Sequence, residues 1–112
     1  MDILFIDKKL EKICNEFRLL QKVHGEKRAK RLRQRLDELR AADALADISH
    51  LPPPRMHQLV GSRAGQFSVD LDHPYRLIFT VANDPIPQKE AGGIDLSKVT
   101  AVLIHGVEDT HE

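Results

Sequence analysis

The segment Gly61–Phe79, GSRAGQFSVDLDHPYRLIF, decides the fold. Gly61–Gly65 reads as a turn, and Gln66–Leu71 then alternates, with Phe67, Val69 and Leu71 on one face. Asp72-His73-Pro74 turns the chain into a second alternating run, Tyr75–Val81, in which Tyr75, Leu77, Phe79 and Val81 share a face and Arg76, Ile78 and Thr80 share the other. Two period-two runs joined by a short turn are neighbouring antiparallel strands with one buried face. The segment fixes Arg63 and Arg76 on or beside strands. A guanidinium held that way can grip a phosphate with parallel N–H donors, so nucleic acid is the first substrate class to consider.

Upstream, Ile3-Leu4-Phe5-Ile6 reads as a strand, and Asp7 as the N-cap of a helix running to about Lys22. Leu10, Ile13, Cys14, Phe17 and Leu20 follow the spacing of one apolar helix face. His24-Gly25 breaks that helix, and a second is expected from about Glu26 to Ala42 on the stripe Ala29, Leu32, Leu36 and Leu39. Lys27, Arg28, Lys30, Arg31, Arg33, Arg35 and Arg40 are assigned to its remaining surface. The pair should form an antiparallel helical hairpin. Ala44–Ile48 adds a helical turn, and Leu51-Pro52-Pro53-Pro54 ends regular structure. Arg55–Leu59 is a further expected strand. Asn83–Lys98 is expected to be a long mobile connection, and Val99–His105 a last strand that is central or covered on both faces. The expectation is one α+β domain over residues 1–112, with a strand and a helical hairpin packed on a mostly antiparallel sheet.

Composition agrees with a globular chain: 112 residues, 41% hydrophobic and 30% charged. No apolar run is long enough to span a membrane and no signal-peptide pattern opens the chain, so a cytoplasmic location is expected. The single cysteine, Cys14, lies on the apolar helix stripe and reads as a small core residue. Net charge is zero, yet residues 1–42 hold twelve Lys/Arg against seven Asp/Glu, while residues 43–112 hold five against ten. The split suggests oriented binding to a charged partner, and the zero total argues against indiscriminate nucleic-acid affinity.

The six histidines lack metal-ligand spacing, and neither a phosphate-binding glycine loop nor a nucleophile elbow is present, so no metal or cofactor is expected. The remaining polar candidates are Arg55, His57, Arg63, Arg76, His105 and His111, with Asp109 beside the last. Each has a plainer reading. The basic helix run KRAKRLRQR suits a solvated or protein-docking face, Arg63 an exposed turn, and Arg76 an ion pair with Asp70 on the neighbouring strand.

Residues Met56–Phe79, MHQLVGSRAGQFSVDLDHPYRLIF, resemble the pattern Leu-His-x-Leu-x-Gly-x-Arg-x-Gly-x-x-Ser followed by an aromatic-Arg strand, which is found in HigB-type toxins of the RelE/ParE superfamily. The ending Val107-Glu108-Asp109-Thr110-His111 resembles that family's terminal Asp-Tyr-His. The resemblance implies the toxin of a type II toxin–antitoxin pair, a ribosome-dependent endoribonuclease that cuts mRNA and is held inactive by a small helix-turn-helix antitoxin, with operator DNA bound through the complex. Carried over by position, Arg63, Arg76 and His111 would be catalytic, and His57, Arg55 and Asp109 would contribute to RNA binding. The chain departs from the pattern at Val60, where many relatives carry lysine, and at Thr110, where they carry an aromatic residue. These departures keep open a non-nuclease toxin of the gyrase-inhibiting kind, or a degenerate toxin that retains only antitoxin binding.

Overall fold

In a computed structural model of the chain, residues 1–109 are described. The strand β1 (Asp2–Phe5) is followed by helices α1 (Lys8–Asn15), α2 (Phe17–His24) and α3 (Glu26–Ala41), and then by β2 (His57–Gln58), β3 (Gln66–Asp70), β4 (Tyr75–Val81) and β5 (Ala101–Asp109). The five strands form one sheet in the order β1-β5-β4-β3-β2. Only β1 and β5 pair in parallel; the other pairs are antiparallel. The fold is α+β, as the alternating runs and the helical hairpin led us to expect, and its layout is the RelE-like one that the family resemblance implies.

The helices supply the crossover that a parallel β1–β5 pair requires. Asp7 caps α1 by accepting from the Leu10 amide at 2.7 Å. The first expected helix is two: Glu16 is extended, its amide closing α1 on Lys12 and its carbonyl opening α2. No glycine or proline forces this break. Tertiary contacts hold the residues on either side, with Arg40 donating to Asn15 and the Arg33 guanidinium lying over the Phe17 ring. Gly25 then reverses the chain at φ +81°, a left-handed conformation that glycine adopts at little cost.

Ala29, Leu32, Leu36 and Leu39 of α3 bury against Phe67 and Val69 of β3, Leu77 and Phe79 of β4, and Val102 and Ile104 of β5 in one core. The rings of Phe67 and Phe79, register partners on adjacent strands, stack with centroids 5.7 Å apart. Each such side chain contributes roughly 1.5–3 kcal/mol by leaving water. Cys14 is buried in the same core, and this burial lifts its thiol pKa to about 11 against a smaller lowering by Arg40.

Three further expectations need correction. The strand expected over Arg55–Leu59 contracts to His57–Gln58, because Arg55 takes φ +45° and breaks the extended run. The last strand is not over at His105. A bulge between Ile78 and Phe79 leaves His105 without a register partner on β4, and pairing resumes through Gly106 (φ +135°) to Asp109. The long connection after β4 is folded on itself: Gln88 bridges Ile94, Asp95 caps a turn at Ser97, and the Asn83 amide side chain bonds Thr100 and Ala101.

Candidate anion site on the open sheet face

Side chains alternate across a strand, so the residues between the core positions point away from the helices. Register pairing arranges them in three rows. Gln66 and Thr80 form the first; Ser68, Ile78 and Gly106 the second; and Asp70, Arg76 and Glu108 the third. His57 on β2 extends the second row as the partner of Ser68, and it is exposed. The candidate residues Arg55, His57, Arg63 and Arg76 therefore gather at this face. Asp109 ends β5 opposite Tyr75, and His111 lies outside the described residues, as does Thr110.

Each of these arginines already faces a carboxylate. Arg55 donates to Asp70 through two bonds of 2.6 and 3.1 Å, and Arg76 approaches the same carboxylate at 3.5 Å. The ion pair anticipated between Arg76 and Asp70 is thus formed, with Arg55 as a second cation on it. A small cleft of about 40 Å³ opens beside the pair, lined by residues that include Arg55, His73, Tyr75 and Arg76. Arg63 donates through both Nη atoms to Glu108, at 2.9 and 2.8 Å, and through Nε to Gln66 at 2.8 Å. The Glu108 hydrogen bond and charge raise the Arg63 pKa despite some desolvation, and Asp70 does the same for Arg55.

Gln66 and Glu108 stand at opposite corners of the three rows, so a guanidinium bonded to both lies over Ile78 at the centre. Ile78 and Ser68 are both buried. The Ser68 hydroxyl has no hydrogen-bond partner among the described residues. Gly106, the third member of that row, adds no side chain, and a Cβ built on it would meet nothing within 4 Å. At the far end, His105 Nε2 lies 2.9 Å from the Thr80 hydroxyl.

Two helix arginines assigned to the outer surface serve the fold instead. Arg35 is only 1% exposed and donates to the carbonyls of Asp70 (2.7 Å) and Pro53 (3.2 Å) as well as to Glu38. Arg28 bonds Asp72 at 3.0 Å and lies over the Tyr75 ring at 3.4 Å, locking α3 to the β3–β4 turn. Sequence reading missed Glu108 as part of the site because it ended the strand too early. Alternation continued past Gly106 would have set Glu108 opposite Arg76.

No curated protein matches the chain. The family model described as RelE-like toxin of type II toxin-antitoxin system HigB matches residues 4–89, which include α1, α2 and α3 and Arg55, His57, Arg63 and Arg76. This match means that the chain belongs to the HigB-like toxins, RelE-like toxins of type II toxin–antitoxin systems, and so has an antitoxin as its implied partner.

Proposed function

We propose that this toxin inhibits translation as a metal-independent endoribonuclease that cuts mRNA on the ribosome. The observation that carries the reading is that Arg63 and Arg76 are gathered on the same open sheet face. Arg63 bonds Glu108, and Arg76 is the register partner of that same residue. RNA carries its own nucleophile, since a 2′-OH can attack the adjacent phosphorus when a base takes its proton and cations offset the charge developing on the phosphate oxygens. Arg63 and Arg76 would supply that charge, and His111, with an imidazole pKa in the neutral range, would act as general acid or base. Arg55 and His57 would line the RNA path, and Asp109, paired with Tyr75 on the other side of the sheet, would help to organise the C-terminus. The antitoxin would be a small helix-turn-helix protein through which the pair reaches operator DNA.

Expression of the chain without an antitoxin is expected to arrest growth, with codon-linked mRNA breaks mapped by primer extension. Arg76→Ala and His111→Ala should each relieve the arrest; undiminished toxicity in both would sink the assignment. A second reading is favoured by the fact that all three arginines are engaged by carboxylates: a gyrase inhibitor or antitoxin-binding remnant on the same fold. Intact mRNA with a DNA-damage response would establish the first form, and antitoxin binding without toxicity the second.

A further inference from the structure

We propose that Glu108 is an internal substitute for the substrate's phosphate on Arg63, beside Arg76 of the neighbouring strand, and that a phosphodiester of single-stranded RNA must displace it to bind. The inference rests on the ribonuclease reading and adds a built-in competitor to it. Three observations support it. The Glu108 carboxylate takes both Nη donors of Arg63 in the parallel geometry that a phosphate would use. It does so directly across the β4–β5 ladder from Arg76, whose guanidinium lies 3.5 Å from Asp70, so both cations flank the row in which Glu108 stands. In the adjoining row of the same face, the buried Ser68 hydroxyl lacks a partner among the described residues, and an anion brought to this face offers it an acceptor.

The pair is suited to displacement. The side chains of Arg63 and Glu108 are 36% and 42% exposed, so water competes for both charges and the net attraction is small. Arg63 springs from a short 3₁₀ turn rather than from a strand, and Gly106, in the row next to Glu108 on β5, adds no side chain to block its movement. Asp70 does not play the same part, because Arg55 occupies it from the side with two bonds. Glu108 therefore sets how strongly RNA must bind before Arg63 is free, which limits the affinity of the toxin for isolated anions.

The test measures binding of inorganic phosphate and of a 2′-O-methyl oligoribonucleotide, which cannot be cleaved, to the purified full chain by calorimetry. Removing one negative charge at contact distance from an exposed anion seat should tighten both Kd values roughly tenfold in Glu108→Gln. Glu108→Ala should behave alike, and the gain should vanish in Arg63→Ala/Glu108→Gln. Circular dichroism confirms that each variant is folded. Unchanged affinity in both folded Glu108 variants would overturn the proposal, as would a gain that survives loss of Arg63. If wild-type chain cleaves mRNA in an Arg76-dependent way while the Glu108 variants gain nothing, only the competitor role fails. If the gain appears but no mRNA is cut, the nuclease reading fails and the anion seat remains.

Discussion

Replacing Arg35 by methionine should destabilise the fold far more than any other change to the basic face of α3. The side chain is buried, and its guanidinium ties two distant pieces of chain, the Pro53 carbonyl and the Asp70 carbonyl, while also bonding Glu38 on its own helix. Methionine keeps most of the apolar stem but leaves two carbonyls without their donor, each costing about 1 kcal/mol or more. The Glu38 side chain is 34% exposed and can rehydrate, so loss of that ion pair adds no more than about 1 kcal/mol. The expected total is about 3 kcal/mol, or a fall in Tm on the order of 15 °C. Arg35→Ala should lose more, because it also opens a cavity. Arg31→Met, on an exposed position of the same helix, should change stability by less than about 0.5 kcal/mol. Urea unfolding followed by circular dichroism measures all three. A loss below about 1 kcal/mol for Arg35→Met, at an unchanged m value, would refute the claim that this buried guanidinium supports the layer between α3 and β3.

The pH dependence should show two steps from the α2–α3 corner. Burial and the neighbouring Arg28 charge lower the His24 pKa against a smaller raising by Asp72, so its contribution to stability is complete above the unfolded value near 6.5 and is lost as pH falls below it. Burial alone would raise the Asp72 pKa, but its hydrogen bonds and the Arg28 and Lys27 charges outweigh that, so its contribution is present above the unfolded value near 3.8 and lost below it. Thermal unfolding across this range should show the upper step removed in His24→Gln and the lower one in Asp72→Asn; retention of either step would contradict its assignment. Cys14, with its thiol pKa raised to about 11, should react with Ellman's reagent only on unfolding, and rapid labelling of the native chain would contradict its place in the core. Asp70→Asn should cost less stability than Arg35→Met, about 1 kcal/mol, since its backbone carbonyl still meets Arg35; an equal loss in urea melts would show that the exposed side-chain pairs carry more than their share.

What the sequence discloses here follows the range of the interactions involved. The β3–β4 hairpin is readable because period two fixes the faces and a short turn fixes the register, so the meeting of Asp70 with Arg76 follows from counting outward from Asp72-His73. The core positions of α3 are readable for the same reason, with Leu32, Leu36 and Leu39 on one stripe. Arg35 is not, because its partners lie 18 and 35 residues away and are backbone carbonyls, which no side-chain pattern marks. The break at Glu16 carries no helix-breaking residue and is imposed by contacts with α3. The last four residues of β5 were hidden by a glycine that ordinarily weakens a strand, although here it sits just past a bulge and the ladder resumes. Half of the candidate site was therefore legible: the arginines and Asp70, but not the Glu108 carboxylate that Arg63 bonds.

Asp70 shows how this fold separates stability from the candidate chemistry. Its backbone carbonyl faces Arg35 under the helices, and its carboxylate faces Arg55 and Arg76 on the opposite side of the sheet. Because successive groups of a strand address opposite faces, one residue can anchor the helix layer and hold two cations in place without either task constraining the other. The two ion-pair systems on the open face then differ in kind. Asp70 positions: its pair with Arg55 runs between neighbouring elements, and Arg55 holds a left-handed backbone conformation at φ +45° that a non-glycine residue keeps only when its surroundings fix it. Glu108 occupies: its carboxylate takes both Nη donors of Arg63, which also bonds Gln66 two rows away. It bonds one candidate phosphate-binding arginine and stands across the ladder from the other. Glu108 sits there, and that position makes it the residue through which the affinity of this toxin for an anion is best tuned.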